Sequence, residues 1–251
     1  MPKITPAGGE VSWPENEGTL GVVGVAPWAT LDFCRALYEA VRARKDWHFP
    51  RVLLDINTKL PSRGRHLQLG ETDPSPAIAA TIGELAAQGA TVAVVVCNTA
   101  HILYERWAKE APIPVLHIID ETLRAAKAHG AHRVASLVSA SLARYDLYGK
   151  GAEGLSLDCV RLDDREQTII NTCIESIKVN GAVIPDSLNY DLDALFQGLV
   201  QRGVDTVIAG CTELSAVAPH AKRANLRLVD SNRALAHAVL RSLAMPAELL
   251  D

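Results

Sequence analysis

Val94-Val95-Val96-Cys97-Asn98-Thr99-Ala100-His101 runs β-branched apolar residues straight into a cysteine, two small polar residues and a tail fit for a helix. A strand that is apolar on both faces belongs in a parallel sheet covered on both sides, and the carboxyl end of such a strand is where α/β folds present functional side chains. A second stretch, Asp205-Thr206-Val207-Ile208-Ala209-Gly210-Cys211-Thr212-Glu213, repeats the design. The two cysteines are separated by close to half of the 251 residues, so the chain reads as two similar lobes, each offering one thiol.

Working outward from these stretches, strand and helix patterns alternate. Residues 20–25 read as a first strand, turning through Ala26-Pro27-Trp28-Ala29-Thr30 into a helix whose apolar positions are Leu31, Cys34, Leu37, Tyr38 and Val41. Residues 51–57 read as a second strand, followed by a long polar connection through Lys59, Arg63 and His66 in which Arg63 has the planar fork suited to a carboxylate. An alanine-rich helix over 76–88 precedes the Cys97 strand, and residues 115–119 read as a further strand. The rhythm then restarts with strands at 133–138, 155–162, 204–209 and 226–229. The accompanying helices include one that Asp163 and Asp164 can cap and a closing one over 232–243. Residues 1–18 carry three prolines and no periodicity, and read as an irregular leader.

Composition excludes several classes. With 48% apolar residues the chain can bury a substantial core, and a net charge of −4 gives no footprint for nucleic acid. No apolar run approaches the roughly 20 residues needed to span a bilayer, and the start of the chain has no export signal, so the reading is a cytoplasmic protein with no membrane partner. Five cysteines with no CxxC pair argue against both a disulfide framework and a zinc ribbon, and no metal is expected. Cys34, Cys159 and Cys173 sit in apolar patterns and read as small buried hydrophobes.

Cys97 and Cys211 differ from these because each follows a strand and precedes a helix start, where free backbone N–H groups and the helix dipole lower a thiol's pKa. Two such thiols facing each other across one carbon can invert a stereocentre, one taking the α-proton and the other supplying one. The alternative is a single nucleophile: His101 lies four residues after Cys97, about one helical turn, which permits a Cys–His pair.

At these residues the chain resembles the PLP-independent aspartate/glutamate racemase family. The resemblance rests on Cys97-Asn98-Thr99-Ala100-His101 and Gly210-Cys211-Thr212-Glu213, which match that family's two hallmark motifs in order and spacing. The turn from Val23 to Thr30 and Leu60-Pro61-Ser62-Arg63 resemble two further family segments. The resemblance implies α/β architecture with two similar three-layer lobes, each holding a parallel sheet, and an active site in the cleft between them. Residues 19–119 would form the first lobe and 120–229 the second, with 230–251 supplying a C-terminal helix packed back on the first. It also implies no cofactor, a small amino-acid substrate and a homodimer.

Residue by residue, the resemblance makes Cys97 and Cys211 the two catalytic bases, and Asn98, Thr99 and Thr212 the holders of the substrate α-carboxylate. Arg63 becomes a second carboxylate clamp, and Lys178 the group that meets the side chain in aspartate-specific members. Ser139, in Val138-Ser139-Ala140-Ser141, stands where the family often has a threonine-bearing carboxylate loop, and its hydroxyl can donate the same bond. Racemisation of a small polar or acidic amino acid is the leading expectation. A hydantoin racemase, a maleate isomerase and a non-catalytic amino-acid sensor are the alternatives; the form of the first cysteine motif favours the amino-acid racemases.

Overall fold

The computed structural model describes residues 18–181, 183–245 and 249–250, so the reading of residues 1–17 as a leader lies outside the described part of the chain. The first half runs β1 (Thr19–Gly24), α1 (Pro27–Glu39), β2 (Arg51–Ile56), α2 (Arg63–Leu69), α3 (Ser75–Ala87), β3 (Val92–Val96), a 3-10 turn (Asn98–Leu103), α4 (Tyr104–Ala108) and α5 (Ile118–Ala128). The second half runs β4 (Arg133–Leu137), α6 (Ala140–Tyr145), α7 (Leu147–Glu153), β5 (Asp158–Val160), α8 (Asp164–Asn180), α9 (Asp186–Gln201), β6 (Thr206–Ala209), a 3-10 turn (Leu214–Val217), α10 (Ala218–Arg223), β7 (Arg227–Asp230) and α11 (Ser231–Ser242). All strand pairs are parallel, in a three-stranded sheet ordered β2-β1-β3 and a four-stranded sheet ordered β5-β4-β6-β7.

Successive side chains of a strand point to opposite faces, and here the two faces feed different cores. Val94 and Val96 of β3, with Leu20 and Val22 of β1, enter a core that also receives Val134 of β4 and Ile208 of β6. Leu37, Leu123, Leu235 and Val239 fill the same core, so α1, α5 and α11 lie between the two sheets. The opposite faces pack outward. Val23 and Val95 meet Ile78, Ile82 and Trp107, whereas Ala135, Leu137 and Val207 meet Ile174, Phe196 and Leu199. Each sheet is therefore covered by helices on both faces, and the central helical layer serves both. The closing helix α11 packs on α1 and α5.

Several expected elements change. Residues 115–119 make only an isolated parallel bridge, Val115 to Ala93, because His117 caps a helix instead: its Nδ1 accepts the Asp120 N–H at 3.3 Å and Ile118 starts α5. The strand expected over 155–162 shortens to Asp158–Val160, with Ser156 at φ 53° turning the chain just before it. The polar connection after β2 contains α2, which begins at Arg63 with the Ser62 hydroxyl accepting the Arg65 N–H and ends at Gly70, whose φ of 67° suits a residue without Cβ. Asp163 caps α8 as expected, in a reciprocal box with Glu166.

Buried polar bonds tie the second half of the chain to the first. The Asn98 amide Nδ2 donates to Ser231 Oγ at 3.0 Å, and its Oδ1 accepts the Tyr148 hydroxyl at 2.8 Å. Replacing Tyr148 by Phe removes that donor and leaves a buried acceptor without a partner. Tyr148→Phe is expected to lose about 1–3 kcal/mol in urea unfolding, and a loss below about 0.5 kcal/mol would show that the bond does not hold the halves together.

Candidate active site

The carboxyl ends of β1, β3, β4 and β6 converge on one cavity of about 630 Å³, lined by residues from both halves. Cys97, Asn98 and Thr99 reach it from the end of β3, Cys211, Thr212 and Glu213 from the end of β6, and Ser139 from the end of β4. Arg63 and Gln68 line it from α2, Asn171, Glu175 and Lys178 from α8, and Trp28 from the start of α1. Apart from His101, every residue singled out in the sequence as catalytic or substrate-binding thus borders the same space. A neighbouring hollow of about 950 Å³ is larger, but it contains neither Cys97 nor Cys211. The smaller one is the candidate site.

Local folding explains how the thiols are aimed. Cys97 follows the fully buried β3 with extended backbone (φ −165°, ψ 107°) and remains half-buried at the cavity. Gly210 sits just before Cys211 where the Tyr148 ring and Val138 close in. A Cβ there would lie 2.6 Å from the ring and 2.7 Å from the valine methyl, so only glycine lets the strand carry its cysteine past them. Cys34, Cys159 and Cys173 stay within or against the apolar cores, with burial raising each thiol's pKa.

The expected lowering of the thiol pKa does not hold for Cys211. Burial pushes it well up, the Glu213 charge and hydrogen bond push it further, Cys97 adds to this, and Lys178 opposes. The helix dipole expected to favour a thiolate is small, because each cysteine is followed by a short 3-10 turn rather than a long α-helix. Cys211 Sγ donates to Glu213 Oε2 at 3.0 Å, and the Thr212 hydroxyl donates to the same oxygen at 3.2 Å.

His101 is no base for Cys97. Its Nδ1 bonds the Cys97 backbone carbonyl at 2.9 Å, its Nε2 accepts the Ile118 N–H at 3.5 Å, and the ring packs among Tyr104, Trp107 and His117. Both nitrogens are occupied, so the imidazole fixes the turn after β3 while the sulfur points elsewhere. Burial, reinforced by His117, lowers its pKa to about 3.

The polar groups divide into committed and available. Asn98's amide is spent on Ser231 and Tyr148, and Thr99 and Ser139 hydroxyls bond each other at 3.0 Å across the cleft. Gln68 donates to Ser141 at 2.9 Å, again between the halves. Arg63 donates Nη1 to the Pro61 carbonyl at 3.1 Å, whereas its buried Nε has no partner among the described residues. Lys178 donates to Glu175 at 2.7 Å. Burial works against its charge, but that bond and the fields of Glu213, Glu175 and Cys211 outweigh it and raise its pKa. Trp28, Gln68, Ser141, Asn171, Glu175 and Glu213 were not picked out by sequence reasoning as site residues. Glu213 stood in the second cysteine motif, Trp28 in the turn after the first strand and Ser141 in the loop with Ser139, whereas Gln68, Asn171 and Glu175 carried no signal.

Two cysteines carried by strands of two parallel sheets border one cleft, and comparison with known proteins identifies the family. A profile of the Asp/Glu/Hydantoin racemase family matches residues 21–239, and the chain belongs to that family. It is 26% identical over 209 residues to the broad specificity amino-acid racemase RacX of Bacillus subtilis (strain 168), a match covering 82% of this chain and 86% of that one. The structure of the Picrophilus torridus aspartate racemase superposes with a TM-score of 0.82 at 25% identity, covering 93% of this chain and 96% of that one. The glutamate racemase of Francisella tularensis subsp. tularensis SCHU S4, solved with D-glutamate, shares the fold at 16% identity, with a TM-score of 0.60 over 94% of this chain and 84% of its own. Among the described residues no helix is long and apolar enough to cross a membrane.

Because His101 is held neutral, the unfolded chain binds a proton at this position between its ordinary value near 6.5 and about 3 that the folded chain refuses. The contribution is fully present above the unfolded value and is lost as pH falls through that window. Unfolding free energy should drop between about pH 7 and about pH 4.5. In His101→Asn that part of the drop should vanish, as read by urea titrations at both pH values.

Proposed function

We propose that this protein is a cofactor-independent amino-acid racemase that works by a two-base mechanism, with Cys97 on one side of the substrate α-carbon and Cys211 on the other. The observation that carries the reading is that these two thiols, delivered by strands of different sheets, border one cavity. For one enantiomer the thiolate of one cysteine takes the α-proton while the thiol of the other protonates the opposite face. The roles exchange for the mirror image. The α-carboxylate is held near Thr99, Ser139 and Thr212. Asn98 acts through the turn it anchors, because its side chain is occupied. The first amides of the 3-10 turn after Cys97 have no acceptor within the turn and suit the enolate oxygens that develop as the proton leaves.

Arg63 and Lys178 are assigned to a carboxylate on the substrate side chain or backbone. This favours a small polar or acidic amino acid, in keeping with the aspartate racemase likeness; the RacX likeness supports breadth in the side chains accepted. The working unit is taken to be a cytoplasmic homodimer, with residues 19–119 and 120–229 as lobes and the C-terminal segment closing on the first.

The test is a panel of single enantiomers incubated in D₂O. Aspartate, glutamate or a related amino acid should lose optical activity while gaining deuterium at the α-carbon. Cys97→Ser and Cys211→Ser should each lower that rate by about 10²–10⁴-fold, the range for removing a positioned acid or base. Full activity in either variant would end the two-base reading.

A further inference from the structure

A two-base racemase needs Cys211 as a thiolate for one of the enantiomers, yet its surroundings hold it as a thiol. Its residue is 8% exposed and Glu213 is 7% exposed, so the two groups meet each other before they meet bulk solvent. The thiol proton already has a destination, Glu213 Oε2 at 3.0 Å. Among the described residues, the side-chain hydrogen bonds of this carboxylate inside the fold come from Cys211 and Thr212, a thiol and a hydroxyl. A buried carboxylate with only a structural duty is ordinarily held by stronger donors. Asp230 shows the contrast: it caps α11 by accepting the Asn232 and Arg233 backbone N–H groups.

We propose that Glu213 is the proton acceptor of Cys211, a partner of the reacting sulfur that converts it to thiolate when Cys211 acts as the base. This rests on the two-base reading above. The S–H bond breaks and an O–H bond forms on Glu213. The thiolate then takes the substrate α-proton, restoring S–H, while Cys97 gives its own proton to the opposite face of the carbon. Glu213 releases its proton and Cys97 recovers one as the enzyme resets, so no proton is gained or lost over the cycle and no electron leaves the site.

Other ionisable groups face this pair. Cys97 comes from the end of β3, Lys178 and Glu175 from α8, and the Tyr148 hydroxyl from α7. Lys178 eases the thiolate of Cys211, against the push of burial and of Glu213. Cys97 differs: among the described residues its sulfur has no hydrogen-bond partner, and it is the more open of the two thiols. The site is thus asymmetric, with an internal base on one side only.

The decisive variant is Glu213→Gln, which keeps the shape but cannot accept a proton. Two readouts are needed, racemisation with α-deuterium gain, and the rate at which iodoacetamide alkylates Cys211, followed by peptide mass across a range of pH. The expected result is racemisation slowed by about 10²–10⁴-fold and recovering as pH rises, with Cys211 alkylation slowed at neutral pH and Cys97 alkylation unchanged. Glu213→Asp, which keeps a carboxylate, should fall less and retain the wild-type pH profile; it also serves if the Gln variant does not fold.

If Glu213 only adds negative charge beside the thiol, removing it makes the thiolate easier to form. Alkylation and racemisation would then both rise at neutral pH, and the proposal would be overturned. The alkylation measurement judges the Cys211–Glu213 pair even if no amino acid in the panel is racemised. Failure of the proton relay and failure of the racemase reading are thereby told apart.

Discussion

The structure depends on one apolar layer shared by two sheets. Leu20, Val22, Val94 and Val96 on one side and Val134 and Ile208 on the other all pack into the same core, with α1, α5 and α11 between them. At roughly 25 cal/mol per Å² of apolar surface, burial of this kind dominates the energetics of a domain and leaves little freedom for one sheet to slide against the other. The consequence is geometric. Inner strands of both sheets end at the same cleft, so residues from distant parts of the chain are held face to face by packing far from where they act.

Polar bonds then set the fine position within the limits the core allows. Asp32, on α1, accepts the Ser215 hydroxyl at 2.7 Å and the Asn232 amide at 2.9 Å, and that same amide reaches the Thr212 backbone carbonyl at 3.1 Å. A residue of the first half therefore holds the backbone beside Cys211. Asn98 does the converse, anchoring the turn after Cys97 to Tyr148 and Ser231 of the second half. Each thiol is positioned partly by the half of the chain to which it does not belong. A rotation of one half would move both sulfurs at once.

Much of this was legible in the sequence because the informative residues were under two-sided constraint. The strands at β1, β3 and β6 are buried on both faces and spell continuous apolar runs, and α8 and α11 carry apolar positions at helical spacing behind clear caps. Legibility failed where burial is slight or a local bond competes. α2 buries no residue, so no periodicity betrays it, and the apolar run at 115–119 was claimed by a helix once His117 found the Asp120 N–H. At the site, the positions around the cavity could be named but not their bonds. That Asn98's amide is consumed, that His101 serves a carbonyl rather than a sulfur, and that Glu213 turns back onto Cys211 all depend on backbone turns that spacing alone does not specify.

The charges of the cavity bear on what it accepts. Arg63, Arg65 and Lys178 border the cavity with Glu175 and Glu213, and Arg65 is already paired with Glu71. Arg63 and Lys178 are not equally committed. The Lys178–Glu175 pair joins side chains 42% and 70% exposed, and such pairs contribute only about 0–1 kcal/mol, so an incoming carboxylate displaces Glu175 at small cost. Among the described residues the buried Arg63 Nε has no hydrogen-bond partner, a lack that costs about 1–3 kcal/mol. On the racemase reading proposed above, an anionic substrate group gains at Lys178, where it replaces one weak pair. A cationic side chain would find Glu175 and Glu213, the latter already bonded to the Cys211 thiol. Under the proposed function these charges suit a substrate with a second carboxylate, and the exposure of Glu175 leaves an opening for other side chains.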